Sequence, residues 1–83
     1  MTLDQLRTSS DPIIKAAADR AAQLIAYYQA GEITKNELDE FTANEIDLEK
    51  FAKDVTDLSR KVALQEAFDI LIQIIQIASS LKP

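Results

Sequence analysis

The side chains that most often carry out chemistry are largely missing from this sequence. It has no His and no Cys, so it lacks the one ordinary group that titrates near neutrality and the thiol as nucleophile or soft metal ligand. Ser9, Ser10, Ser59, Ser79 and Ser80 are hydroxyl nucleophiles without a base to activate them. Carboxylates remain. Glu45 and Glu49 are four apart and share a helix face, an arrangement that recurs in di-metal carboxylate proteins, but such sites draw on Glu-x-x-His pairs and there is no His here. These residues point away from an enzyme and imply neither a metal nor a cofactor.

The carboxylates are unevenly placed. Lys and Arg number 9 against 14 Asp and Glu, a net −5. Residues 31–57 hold nine acids and three bases, or −6, while the rest of the chain has five acids and six bases, or +1. Glu40, Glu45, Asp47 and Glu49 lie at the centre of this band and are its candidate surface for a basic protein partner. A mimic of nucleic acid and a plainly solvated face are the other readings, the last supported by the i,i+4 pairs Glu49/Lys53 and Asp57/Lys61. Direct nucleic-acid binding is disfavoured, because Arg60-Lys61 is a pair rather than a basic stripe and no glycine-rich phosphate loop is present.

Helices must position these groups. One Gly and two Pro leave few turns, which excludes a many-stranded β protein, and 83 residues allow one small helical domain. Asp11 is placed to cap a helix whose first turn accepts Pro12. Ile14, Ala17, Ala21, Leu24 and Tyr28 then recur at helical spacing, and the many alanines permit a close neighbour. Tyr27 and Tyr28 read as one ring in the core and one on the surface. Gly31 is suited to end this helix in the left-handed conformation. Thr34 and Glu37 form a capping box that starts the next.

Nothing between Gly31 and Pro83 is Gly or Pro. Leu48, Phe51, Val55, Leu58 and Val62 keep a 4-3 spacing, and a break near 54–59 would set Asp54 and Asp57 at a C-terminus and Arg60 and Lys61 at an N-terminus, against the helix dipole. The expected fold is therefore all-α: an antiparallel hairpin of helices over about 12–30 and 35–80, with a compact three-helix bundle broken near 54–59 as the alternative. Residues 1–11 form an N-terminal segment, with a short turn from Thr2 capped by Gln5. Residues 12–57 form the hairpin and 58–83 an apolar association segment.

A second helix of about 69 Å outruns a first of about 28 Å and leaves its apolar end uncovered. Leu64, Phe68, Ile70, Leu71, Ile74, Ile75, Ile77 and Leu81 are the expected oligomer interface. Membrane contact is disfavoured, since the polar stripe of that segment holds Asp69, Gln73 and Gln76 instead of Lys or Arg, and no run of about 20 uninterrupted apolar residues occurs. The polar start Met1-Thr2-Leu3-Asp4-Gln5 does not read as a signal peptide, and a cytoplasmic location is expected.

Two resemblances attach to the turn. Gly31 to Leu38 is similar to the second half of an EF-hand loop, but the first, third and fifth positions would be Ala26, Tyr28 and Ala30, which offer no suitable oxygen. The same stretch resembles the hairpin turn of short C-terminal domains of bacterial proteins, which implies an interaction hairpin. More broadly, Tyr28, Gly31, Glu32, Ile33, Thr34 and Glu37, followed by an acidic and then apolar helix, resemble small uncharacterised all-helical bacteriophage proteins, which implies a virion-associated or assembly role. The expected function is a non-enzymatic structural or assembly protein that self-associates through its C-terminal helix. The alternative is a small acidic adaptor or inhibitor that binds a basic protein through residues 31–57.

Overall fold

The structure, a computed structural model, describes residues 2–81 apart from the Leu81 side chain. Among the described residues every regular element is a helix: α1 (Leu3–Arg7), α2 (Pro12–Gln29), α3 (Lys35–Glu45), α4 (Leu48–Phe51) and α5 (Leu58–Leu81). The all-α class is as expected.

Local chemistry sets several of the boundaries as read. Thr2 and Gln5 close a capping box on α1. Asp11 Oδ1 accepts the Ile13 N–H at 2.9 Å and Pro12 occupies the first turn of α2. At the other end of α2, the Gly31 N–H donates to the Tyr28 carbonyl at 3.0 Å and the Glu32 N–H to the Tyr27 carbonyl at 2.9 Å. This paired pattern satisfies two terminal carbonyls and needs a left-handed residue, which Gly31 supplies at φ 77°. Thr34 and Glu37 exchange hydrogen bonds of 3.0 and 3.1 Å across the first turn of α3.

The continuous helix expected over 35–80 is corrected. It is three helices, with interruptions at Ile46-Asp47 and over residues 52–57. Two aspartates read as interior residues act as caps. Asp47 Oδ1 accepts the Glu49 N–H at 3.0 Å, and Asp57 Oδ1 accepts the Arg60 N–H at 3.2 Å. The charges that argued against a break are thereby reconciled: Asp57 stands at a positive helix start, and Arg60 is held by Asp11 from the neighbouring helix. At the first interruption, Ile46 leaves helical geometry at φ −98°, ψ 63° and buries its side chain. Lys50 Nζ donates to the Asn44 carbonyl at 2.9 Å, satisfying a carbonyl near the end of α3.

These breaks fold the chain back on itself. Asp11 meets Arg60 at the starts of α2 and α5, and Tyr28 Oη donates to the Ser79 carbonyl at 3.2 Å near their ends, so the two long helices run parallel. The descending leg between them is α3, α4 and residues 52–57, tied to α2 by Arg20 and Glu45. The result, 41 × 22 × 16 Å, is nearer the bundle held as the alternative than the hairpin, but among the described residues it has five helices instead of three and breaks at 46–47 and 52–57 instead of one near 54–59.

One main core joins Leu6, the alanine face of α2, Leu38, Ile46 and the inner face of α5. Ala17, Ala18 and Ala21 are fully buried, and their small side chains let α5 come close. Phe51 packs edge-on against Phe68, with ring centroids 5.4 Å apart. Tyr28 is buried and Tyr27 is 41% exposed, the division expected of the pair.

The expected association segment is corrected in the same way. Leu64, Phe68, Leu71 and Ile75 are buried in the chain's own core, and Ile70 and Ile74 pack against it. Ile77 is 59% exposed, and the Leu81 side chain lies outside the described residues. The 4-3 stripe does not form a seam either, since Leu58 and Val62 are 74% and 52% exposed. By length and composition alone Leu58–Ser80 is also a helix able to cross a membrane, a property that the central helix of a helical core shares.

Candidate interaction groove

The charged residues sort into those that tie the bundle together and those left at its surface. The Arg60 guanidinium binds both Asp11 oxygens, Nε to Oδ2 at 3.1 Å and Nη2 to Oδ1 at 3.0 Å. This hydrogen bonding lowers the Asp11 pKa below the usual carboxylate value and raises that of Arg60. Asp19 is lowered by Arg7, with Lys15 adding to the effect. Arg20 Nη2 lies 2.6 Å from Glu45 Oε1.

The expected acidic surface therefore divides. Glu45 is engaged by Arg20, and Asp47 serves as a cap. Glu40 and Glu49 are exposed. The capping residues expected at Asp11, Pro12, Gly31, Thr34 and Glu37 all stand where the helices begin or end. Glu37 has its Oε1 on the Thr34 N–H, so the stretch that is similar to an EF-hand loop is a helix start. Ser9, Ser79 and Ser80 are engaged in local hydrogen bonds with Asp11, Gln76 and Ile77 respectively.

The main concavity is an open groove of about 940 Å³ between the α3–α4 leg and α5. It exists because α3 packs on α2 and touches α5 sparingly. Ile46, Phe68, Ile72 and Ile75 form its floor. Asp39, Asp47 and Glu49 stand along one wall and Asp69 along the other, with Gln65 and Gln76 beside it and Lys35 towards the start of α3. The groove thus unites Asp47 and Glu49 with Phe68 and Ile75, residues assigned separately from the sequence to a partner surface and an oligomer interface.

Asp39 and Asp69 were not among the expected partner residues. The polar stripe of Asp69 and Gln76 on α5 was the available signal, but placing it opposite Asp39 requires the fold-back at 46–57. Beyond Glu49 and Gln65 the groove passes into a smaller hollow of about 460 Å³, where Leu58 and Val62 face Ala52 and Lys53 and Lys61 are at the edge.

Among the described residues no group of three or more acidic side chains is placed to hold a metal ion. Among the described residues, fold and surface define a small all-α bundle with an acid-rimmed groove of mixed polar and apolar lining. Comparison with protein-family models, curated proteins and solved structures finds no match.

Proposed function

We propose that the chain is a non-enzymatic interaction module of the adaptor type, which receives a segment of another protein in the groove between the α3–α4 leg and α5. The observation that carries this reading is the groove itself: aliphatic and aromatic side chains form a floor and carboxylates rise on both walls. Binding sites commonly combine an apolar floor with a few polar groups that orient the ligand. The reading moves the acidic partner surface from the whole of residues 31–57 to Asp39, Asp47 and Glu49, and adds Asp69 opposite them. A virion-associated or assembly setting, as the resemblance to phage proteins implies, is compatible with such a module.

Self-association is the second reading, favoured by one observation. Leu58 and Val62 are largely exposed one turn apart and line the hollow that continues the groove. The start of α5, where two of the exposed large apolar side chains adjoin, is therefore the surface this reading uses for contact between copies.

A photo-crosslinking residue placed at Gln76, Val62 or Tyr27, followed by native purification, tests both. Adducts to a different protein are expected at position 76, on the groove wall, and none at position 27, outside it. Adducts that are solely between copies of the chain, strongest at position 62, would replace the first reading with the second.

A further inference from the structure

We infer that the occupant of the groove is an amphipathic α-helix with an aliphatic face and Lys or Arg on both flanks, contributed by a different protein. This deepens the adaptor reading and rests on it.

The first argument is backbone chemistry. Apart from Ile46-Asp47 the walls are helices, whose interior N–H and C=O groups are already paired within each helix. An extended segment laid in the groove would find no sheet edge to satisfy its own main chain, whereas a helix brings its main-chain bonds with it. The second is shape. Gln65, Phe68, Asp69, Ile72, Ile75, Gln76 and Ser79 line the groove at steps of three and four along α5. They form one face about 21 Å long, which a helix of about four turns would cover. Apolar anchors three and four apart on the occupant would rest on half-buried Ile72 and Leu48, above the buried Phe68 and Ile75.

The third is charge. Three carboxylates on one wall and Asp69 on the other face a single Lys35 among the lining residues, so cations are wanted on both flanks of the occupant. A second copy of the chain is the weaker match. It carries net −5, and four of its nine basic residues, Arg7, Lys15, Arg20 and Arg60, are paired with its own Asp19, Glu45 and Asp11, which leaves Lys53 and Lys61, beside Leu58 and Val62, among its available cations.

The test is titration of the full chain into two fluorescein-labelled synthetic peptides of about 16 residues with the same Leu/Ile face, one flanked by Lys and one by Glu. Anisotropy and far-UV circular dichroism are read in about 0.05 M and about 0.5 M salt. The Lys-flanked peptide is expected to bind and gain helix, to weaken about tenfold or more at the higher salt, and to weaken similarly against Asp39→Lys/Asp69→Lys. Both positions are exposed, so these reversals leave the core intact. Equal or tighter binding of the Glu-flanked peptide overturns the inferred charge while leaving the groove as a docking site. Failure of both peptides, with the chain monomeric by light scattering, overturns the groove reading as well. A dimer that excludes the peptide and survives Asp39→Lys/Asp69→Lys overturns the inference in favour of a second copy.

Discussion

Asp11 does two things at once. Its Oδ1 accepts the Ile13 N–H at the start of α2, and both oxygens receive the Arg60 guanidinium from the start of α5. The two contributions separate by substitution. Asp11→Asn keeps a good cap but gives up the charge, whereas Asp11→Ala gives up both, and loss of a cap typically costs about 1 kcal/mol. Urea denaturation is expected to rank wild type above Asp11→Asn and Asp11→Ala lowest. The direction of the pH dependence follows from the lowered native pKa. Above the unfolded value of 3.8 Asp11 is ionised in both states, and the folded preference for the ionised form contributes fully. As pH falls through 3.8 and then through the lower native value, that contribution is lost. Asp19 acts in the same sense. The raised pKa of Arg60 keeps it charged throughout this range. Urea midpoints taken from pH 6 down to about 3 should therefore drop for wild type, and less for Asp11→Asn. Parallel profiles for the two proteins would show that the pair contributes nothing at this end of the bundle.

The helices begin and end by chemistry that is partly visible in the sequence. Asp11-Pro12, Gly31 and the Thr34/Glu37 box are legible because each depends on a residue and its immediate neighbours. Asp47 and Asp57 are not. The same short carboxylate is an ordinary exposed residue within a helix and an N-cap where the backbone opens, and only tertiary packing decides between them. Here the packing of Ile46, Ala52 and Val55 supplies the reason to open, since all three side chains are buried. The 4-3 spacing that argued for continuity was a coincidence of pattern: it joins half-buried Leu48 and Phe51 of α4 to the exposed Leu58 and Val62 of α5. Asp57→Ala removes the acceptor for the Arg60 N–H. It is expected to cost about 0.5–2 kcal/mol, and to speed amide exchange at residues 58–61 while leaving the centre of α5 protected. Unchanged exchange in that first turn would show that the cap contributes nothing there.

On the scale of the whole molecule, the fold-back answers the difficulty posed by 83 residues and a long apolar helix. Parallel α2 and α5 require the chain to return about 27 Å, and α3 spans only about 16 Å of that, so α4 and the segment before α5 supply the rest. The descending leg lies against α2 and leaves one side of α5 open, so the same geometry that buries Leu64 and Leu71 also makes the groove. The all-helical class was legible from composition, because it depends only on the scarcity of turn formers and on helical periodicity. The groove was not, because Asp39 and Asp69 are thirty residues apart and line one groove only after the breaks at 46–57 bring α3 beside α5. A comparison of two nearby aliphatic residues tests whether this chain carries its own core. Leu64 is fully buried between α2 and the descending leg, while Val62, half a turn away, is 52% exposed. Leu64→Ala should therefore cost about 2–5 kcal/mol in urea denaturation. Val62→Ala should stay within about 0.5 kcal/mol, and neither value should depend on protein concentration. An assembly held by the start of α5 would behave otherwise. Val62→Ala would then be the damaging change, and the thermal midpoint of the wild type would rise with concentration, because association stabilises the folded form by mass action.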